Sequence, residues 1–239
     1  KNNHAKKLLT YAASFGNTTL EKLEKYKKAN EVGALLKKFD AISVRDANSG
    51  TIVEQLTGEK PVYNLDPVLT YDYMDCCDAI PQIDTSEKHL ILYAYAGRIS
   101  NDEADWIAEY AKKKNLKVYA IGGIQKCANR FVDCSPFEVL AYFRNAEEVI
   151  TDTFHGSIFS VITHRPFTTL IRKSVGNSYG NEEKLSDLLN RLRLTERMTT
   201  KVEDTERINQ QPIDYEKVDD VLQKQREIAK KYLQNNIEG

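Results

Sequence analysis

The sequence predicts an α/β protein in which parallel strands are covered by helices. Two observations predict this fold class. Short apolar runs of strand-like composition alternate along the chain with segments in which apolar residues recur at helical spacing. Several of the helical segments also begin at a capping residue. Such alternation is typical of parallel sheets, because neighbouring parallel strands need a long crossover connection.

The first 70 residues contain three predicted strands and two predicted helices. Residues 8–13 form the first strand, which ends in a turn-rich cluster at residues 14–17. Thr19 then caps a helix whose apolar residues recur as far as Phe39. The remaining elements of this part are a strand at residues 41–44, a helix at residues 49–56 that ends at Gly58, and a strand at residues 61–65.

Residues 70–88 lack a sustained hydrophobic period, so we predict that they form an interdomain connection. A short helix inside this connection is an open alternative. The alternation then resumes. The predicted strands are residues 90–94, 116–121, 149–151 and 167–171. The predicted helices are residues 102–114, one that starts at Ser135 and Pro136, residues 156–163, and residues 182–193 after a loop at 176–181. Residues 215–235 form an amphipathic helix with a solvated charged face, for which a coiled-coil role is the weaker alternative.

Composition excludes several classes of protein. The chain has 239 residues, with 34 Lys and Arg against 35 Asp and Glu, so it lacks the basic excess of a general nucleic-acid binder. No apolar run approaches the roughly 20 residues of a membrane helix. The four cysteines lack the spacing of a zinc site, and we predict no metal and no cofactor. No signal peptide is visible, and a start without Met predicts a fragment.

The segment at residues 148–160, EVITDTFHGSIFS, is the best candidate for chemistry. A predicted strand ends there and a helix follows, and ligands of open α/β sheets bind beyond the carboxyl ends of strands. The first helical turn offers N–H groups to an anion, and Gly156 lets a ligand approach the backbone closely. His155 would stand there as a proton donor or acceptor near neutral pH. A purely structural His155 and a helix-capping Asp152 remain alternatives.

The same segment carries a resemblance to a known family. Residues 151–160, TDTFHGSIFS, resemble the hallmark segment of polysaccharide pyruvyl transferase family proteins. Three further segments agree in the same order. They are YAASFG at residues 11–16, ISVRD at residues 42–46, where the family has Glu at the last position, and LDPVL at residues 65–69.

The resemblance implies a pair of Rossmann-like domains in a glycosyltransferase-B-like arrangement. Its domains would be the C-terminal part of a first Rossmann-like domain at residues 1–70, a connection at 71–88, a second Rossmann-like domain at 89–205 and a C-terminal amphipathic helix at 206–239. Family members usually have further α/β units before the YAASFG segment, so an N-terminal domain that is incomplete is expected here. We therefore expect weak or no turnover from this chain alone.

The resemblance also implies an activity and a set of site residues. Family enzymes transfer pyruvate from phosphoenolpyruvate to a sugar hydroxyl pair, which forms a ketal on cell-surface polysaccharide. His155 would act as the acid or base or in phosphate departure, and Asp152 would orient it or support the loop. The implied donor-binding residues are Arg45, Gly156, Ser157, Arg172 and Lys173. A buried ion pair is an equal alternative for Arg45.

The implied partners are phosphoenolpyruvate and a sugar or lipid-linked oligosaccharide acceptor, and homo-oligomers stay open. The expected location is the cytoplasm, with peripheral attachment at the inner face of the membrane as a variant. Two other functions stay open. One is a glycosyltransferase of the same fold with a nucleotide-sugar donor, and the other is a non-catalytic module that binds sugars or anions.

Overall fold

The structure is a computed structural model that describes residues 5–83, 86–173 and 180–237. It divides into two units. The first comprises Lys1–Tyr71 with Asp219–Gly239, and the second comprises Asp72–Val218. No helix in the described ranges has both the length and the apolar composition needed to cross a membrane.

The first unit contains a small parallel sheet flanked by helices. Strands β1 (Ser43–Val44) and β2 (Val62–Tyr63) pair in parallel. The predicted strand at residues 8–13 is wrong as a continuous strand, because only Leu9 and Ala13 make isolated parallel bridges. Ala12 between them has φ of 46°, a left-handed conformation that interrupts a regular ladder.

The helix predicted from Thr19 to Phe39 is two helices, α1 (Leu20–Lys25) and α2 (Ala29–Leu36). Lys27 adopts a left-handed φ of 55° between them. The N–H groups of Lys27 and Lys28 donate to carbonyls of the last turn of α1, at 2.9 and 2.7 Å, in the pattern of a Schellman cap. This cap ends α1 where the apolar spacing alone predicts that it continues.

The next helix of the first unit is α3 (Ala47–Thr57), which lies between β1 and β2. Asp46 caps its first turn by accepting a hydrogen bond from the Ser49 N–H at 2.8 Å. Gly58 ends it with φ of 83°, as the sequence predicts. A 3-10 turn at Pro67–Leu69 follows β2.

The second unit is built on one six-stranded parallel sheet with the order β5-β4-β3-β6-β7-β8. Its strands are β3 (His89–Tyr93), β4 (Lys117–Ile121), β5 (Arg130–Phe131), β6 (Glu148–Thr151), β7 (Phe167–Leu170) and β8 (Met198–Thr199). Its helices are α4 (Tyr73–Cys76), α5 (Asn101–Lys113), α6 (Pro136–Asn145), α7 (Phe154–Ile162), α8 (Glu182–Arg191) and α9 (Thr205–Gln210). The sequence predicts the four long strands, whereas the two-residue strands β5 and β8 and the helix α9 are additions.

The central strands β3 and β6 are buried except for the partly buried Tyr93 at the end of β3, and the helices cover them with apolar faces. Residues of β3, β4 and α5 form one cluster that includes Leu92, Ile107 and Val118. Both α5 and α6 begin with capping boxes at Ser100 and Ser135, which fix where these helices start. The predicted loop at residues 176–181 lies mostly outside the described residues.

The last helix, α10 (Tyr215–Ile237), begins in the second unit and lies in the first from Asp219 onward. Within the first unit, the hydroxyl of Tyr232 donates a hydrogen bond to the carbonyl of Thr10 at 2.8 Å. Arg226 donates to the carbonyl of Leu69 at 3.1 Å. These bonds attach α10 to the two ends of the first unit's N-terminal segment.

Candidate functional site

The topology of the second unit puts a crevice at the carboxyl ends of β3 and β6. From β3 the chain continues to β4 and β5 on one side of the sheet, and it returns to β6, β7 and β8 on the other. The loops that follow β3 and β6 therefore lead away from each other. Ligands of open α/β sheets bind at such a switch point.

The turn after β6 is held by threonine hydroxyls. The hydroxyl of Thr151 donates to the carbonyl of Tyr93 on β3 at 2.7 Å and accepts from the N–H of Thr153 at 3.0 Å. Thr153 is the N-cap of α7, and its hydroxyl accepts from the N–H of Gly156 at 2.9 Å. The helix therefore starts at Phe154, earlier than predicted, and its cap is Thr153 in place of Asp152.

Close packing in the structure explains why a glycine stands at position 156. A Cβ at this position would lie 2.7 Å from the Cβ of Thr151 and 2.8 Å from the hydroxyl oxygen of Thr153, and nearer still to the hydroxyl oxygen of Thr151. The N–H of Ser157 donates to the carbonyl of Thr153 at 3.3 Å, and its hydroxyl contacts that of Thr169 at 2.9 Å. The polar groups of both residues thus have partners within the turn, and their donor-binding role stays a prediction.

Asp152 is completely buried at the crevice. Its carboxylate lies 3.5 Å from a guanidinium nitrogen of Arg98, which comes from the loop after β3. Neither carboxylate oxygen has a hydrogen-bond partner among the described residues. Burial raises the pKa of Asp152, and the positive charges of Arg98 and Arg172 only partly oppose this effect. Asp152 is therefore a carboxyl group that holds a proton more readily than a solvated one.

Arg172 follows β7 and enters the same cluster. Its Nη1 donates to Oε1 of Glu103 at 2.6 Å, while its backbone N–H donates to Oδ1 of Asn181, also at 2.6 Å. Its Nε and Nη2 are buried and have no hydrogen-bond partner among residues 5–83, 86–173 and 180–237. These two nitrogens form one edge of the guanidinium, the edge that binds a carboxylate or phosphate through two parallel hydrogen bonds.

Glu103 and Asn181 hold this arrangement in place. The second carboxylate oxygen of Glu103 accepts from the N–H of Ser100 at 2.9 Å, so one side chain both caps α5 and fixes Arg172. Burial raises the pKa of Glu103, but hydrogen bonds from Arg172 and Ser100 outweigh it and hold that pKa below its usual value. The amide of Asn181 donates to the carbonyls of Asp152 and Leu170, at 2.6 and 3.0 Å.

His155 follows Asp152 by three residues, in the first turn of α7, and is half-buried beside two aromatic rings. Its ring centroid is 5.7 Å from that of Phe154 and 6.0 Å from that of Phe159. Within the described part of the chain, no hydrogen bond joins His155 to Asp152, because neither oxygen of Asp152 has a partner. The orienting role for Asp152 stays a prediction.

The remaining predicted site residues lie elsewhere. Lys173 is exposed beside Arg172. Arg45 belongs to the first unit, where its guanidinium makes an ion pair with the buried carboxylate of Asp66. This pair agrees with the alternative that the sequence left open for Arg45. Among the described residues, no group of three His, Cys, Asp or Glu side chains is placed to hold a metal ion.

Sequence reasoning missed Arg98, Glu103 and Asn181. A signal for Arg98 was available, because it lies in the loop that follows a predicted strand, at the carboxyl edge of the sheet where Asp152 was also expected. Glu103 stands three residues after Ser100, which is the spacing of a capping box. The sequence therefore indicates a capping role for Glu103 and gives no sign of its hydrogen bond with Arg172. Asn181 lies in a polar loop and gives no signal in the sequence.

Comparisons with known proteins agree with this fold. A family model described as polysaccharide pyruvyl transferase matches residues 1–174. No curated protein matches the chain. A solved structure from Listeria monocytogenes, assigned as a UDP-N-acetylglucosamine 2-epimerase, matches 95% of this chain with 11% identity and a TM-score of 0.53. The UDP-GlcNAc 2-epimerase of Neisseria meningitidis matches 90% of it with 9% identity and a TM-score of 0.50.

The chain spans 66% and 62% of the lengths of these two epimerase structures. At such low identity the similarity concerns the fold alone. It confirms the predicted α/β class with Rossmann-like parallel sheets and a glycosyltransferase-B-like fold.

Proposed function

Because the chain belongs to the polysaccharide pyruvyl transferase family, we propose that its charged crevice binds phosphoenolpyruvate and takes part in pyruvyl transfer to a sugar. The observation that carries the proposal concerns one edge of Arg172, whose Nε and Nη2 are buried near Asp152 and have no hydrogen-bond partner among the residues that the structure describes. A buried donor without a partner costs free energy, about 1–3 kcal/mol and more for a charged group. A ligand that pairs this edge recovers that free energy.

Phosphoenolpyruvate has the chemistry that such an edge recognises. It carries a carboxylate and a phosphate, and either group matches two parallel N–H donors. Glu103 accepts a hydrogen bond from the third nitrogen of Arg172 and so fixes the direction of the Nε–Nη2 edge. Lys173, exposed next to it, and Arg98 supply further positive charge for the second anionic group.

The proposed reaction needs proton transfers that His155 and Asp152 can carry out. One sugar hydroxyl adds to the central carbon of the donor, and a proton is delivered to the methylene carbon, which becomes a methyl group. The second hydroxyl then replaces the phosphate, its proton leaves with the phosphate, and the ketal is complete. His155 carries an imidazole, the side chain most often used for general acid–base catalysis, and it is the proposed acid or base.

Asp152 supports this chemistry through its raised pKa, since a protonated carboxyl beside a bound dianion avoids the repulsion of two like charges. The acceptor is proposed to be a sugar, in a free or lipid-linked form. The role of Arg45 in donor binding remains part of the proposal and concerns the first unit.

The first experiment is thermal unfolding with two competing donors, phosphoenolpyruvate and UDP-GlcNAc. A ligand at 100 times its Kd stabilises the native state by about 2.7 kcal/mol. We expect phosphoenolpyruvate to raise the Tm by several degrees and UDP-GlcNAc to leave it unchanged. Protection by UDP-GlcNAc alone would instead favour the glycosyltransferase alternative.

The second experiment replaces arginine by lysine, which keeps the charge and removes the planar fork. Arg172→Lys should weaken phosphoenolpyruvate binding at least tenfold, about 1.4 kcal/mol, because a lysine cannot make two parallel bonds. Arg207→Lys is the control, since Arg207 is exposed and lies 3.8 Å from the carboxylate of Asp204 in a surface ion pair. Equal affinities in the two variants would contradict the proposed role of Arg172.

The third experiment separates donor binding from chemistry, and its activity arm uses a form of the protein in which the native sequence shows measurable pyruvyl transfer. His155→Ala should bind phosphoenolpyruvate as the native protein does and lose pyruvyl transfer, measured as phosphate release in the presence of acceptor. Transfer at the native rate would exclude His155 as the acid or base.

A further inference from the structure

The exposed large apolar side chains of the second unit gather at one part of the sheet edge. In the described residues of that unit they are Tyr95, Ile124, Phe131 and Phe137. Tyr95 follows β3, Ile124 follows β4, Phe131 ends β5, and Phe137 lies in the first turn of the helix that comes next. Single exposed apolar residues are ordinary, but a group of them at a ligand-binding edge indicates a binding surface.

Contacts from the loop after β4 position the backbone of Tyr95 at this edge. The side-chain amide of Gln125 donates to the carbonyls of Ala94 and Tyr95, at 3.0 and 3.3 Å. A Cβ at Gly123 would lie 2.8 Å from the carbonyl carbon of Tyr95, so this glycine lets the two loops touch through their backbones. Ile124, which is 74% exposed, stands between the two residues that make these contacts.

The ring of Tyr95 is also next to the charged cluster. The guanidinium carbon of Arg98 lies 5.6 Å from the ring centroid, within the range of a cation–π interaction. The same guanidinium is 3.5 Å from the carboxylate of Asp152. Half of the surface of Tyr95 remains exposed. An apolar ring therefore continues the charged crevice on the side of β3 and β4.

We propose that Tyr95, with Ile124 at its side, is the platform on which the acceptor sugar stacks. The inference rests on the proposed function, because that function places the donor at Arg172 and requires a pyranose beside it. The C–H face of a pyranose is apolar and weakly positive, so it packs on the negative face of an aromatic ring. Its hydroxyls then lie at the rim, where the charged cluster begins.

The test compares three variants of the full chain in two binding measurements. The first is saturation-transfer NMR with methyl β-galactopyranoside, methyl β-glucopyranoside and methyl α-mannopyranoside. The second is the Tm increase caused by phosphoenolpyruvate. Tyr95→Ala should weaken glycoside binding at least tenfold, while Tyr95→Phe keeps it within about twofold, because stacking needs the ring and not the hydroxyl.

Tyr26→Ala is the matched control. Tyr26 is an exposed tyrosine of the first unit with a lysine ammonium 5.9 Å from its ring centroid, so it resembles Tyr95 in exposure and in its cationic neighbour. We expect this variant to bind both ligands as the native protein does. The phosphoenolpyruvate response should also be unchanged in Tyr95→Ala.

The outcomes separate this inference from the proposed function. Glycoside binding that is equal in Tyr95→Ala and the native protein, or absent from the native protein with all three glycosides, overturns the platform. Parallel loss of the phosphoenolpyruvate response in Tyr95→Ala also overturns it, because the residue would then act on loop structure. If phosphoenolpyruvate never protects while glycosides bind through Tyr95, the platform stands and the proposed donor is wrong.

Discussion

Replacing Gly156 by alanine tests why a glycine stands in the first turn of α7. If the glycine serves the approach of a ligand, alanine should leave stability intact and weaken donor binding. If it serves packing, alanine should destabilise the second unit, because its Cβ would lie 2.7 Å from the Cβ of Thr151 and 2.8 Å from the hydroxyl oxygen of Thr153. The structure supports the second explanation.

The size of the effect follows from three contributions. Overpacking a dense site costs about 1–3 kcal/mol. Pushing Thr153 away weakens an N-cap hydrogen bond that is 2.9 Å long, which costs about 1 kcal/mol. Alanine has a better helix propensity than glycine by about 1 kcal/mol, which offsets part of the cost. We expect a net loss of about 2 kcal/mol.

Urea unfolding monitored by tryptophan fluorescence reports this loss of stability for the second unit of the structure, which contains Gly156. The chain has one tryptophan, Trp106, which lies in α5 and stacks on Tyr110 with ring centroids 4.9 Å apart. With a slope of about 2 kcal/mol per molar urea, the midpoint should fall by about 1 M. Gly97→Ala is the control, because Gly97 has φ of 76° with open space around it, so only the conformational cost of about 1 kcal/mol applies.

The packing explanation is refuted if Gly156→Ala weakens donor binding without loss of stability. A Gly156→Ala protein with an unchanged or higher midpoint, together with weaker phosphoenolpyruvate binding, would show that the glycine is kept for the ligand. The N–H groups of the first turn would then be the anion site that the sequence pattern predicts.

Two further predictions concern pH and have opposite signs. The pKa of Asp152 is raised from the usual 3.8, so its favourable contribution is complete below that value and is lost as the pH rises through the raised pKa. Asp152→Asn should therefore have a higher Tm than the native protein at pH 7, and the gap should close on acidification. The pKa of Glu103 is lowered from the usual 4.5, so its contribution is present above that value and is lost as the pH falls through the lowered pKa. Glu103→Gln should be less stable at pH 7 by about 1–3 kcal/mol, with the difference vanishing in acid. Tm values of both variants across this pH range check the two signs, and a Tm gap of the same sign in both would contradict them.

The sequence predicted the alternating elements of the second unit well because strands such as β3 and β4 contain continuous apolar runs that are followed by turns. Helix α6 starts at Pro136, directly after the predicted cap Ser135, because capping depends on local chemistry. Strands β5 and β8 have two residues each, too few for any period to be visible. The break at Lys27 depends on a left-handed lysine, which the residue type does not indicate.

The site was predicted only in part, for a physical reason. His155, Asp152 and Arg172 follow strands that the pattern identifies, so their place at the carboxyl edge could be expected. Which loops meet there depends on strand order, and the sequence pattern does not specify that β3 and β6 are neighbours. The contact between Arg98 and Asp152 therefore required the structure.

The arginines and the buried carboxyl together imply that donor binding is linked to proton uptake. Burial raises the pKa of Asp152 by more than the positive charges of Arg98 and Arg172 lower it. An anion bound to these guanidiniums neutralises their field, so the pKa of Asp152 must rise and a proton must be taken up on binding. Calorimetric titration with phosphoenolpyruvate in buffers of different ionisation enthalpy measures the number of protons taken up on binding.

The phosphate of the donor itself titrates near pH 6, so the quantity to compare is the difference in proton uptake between the native protein and Asp152→Asn. We expect the native protein to take up more protons than the variant at pH values near and above the raised pKa of Asp152. Equal uptake would mean that Asp152 keeps its charge state when the anion arrives, and it would remove Asp152 from the proton chemistry. Excess uptake in the native protein would show that donor binding is coupled to protonation of Asp152, so that a neutral carboxyl group lies beside the bound dianion.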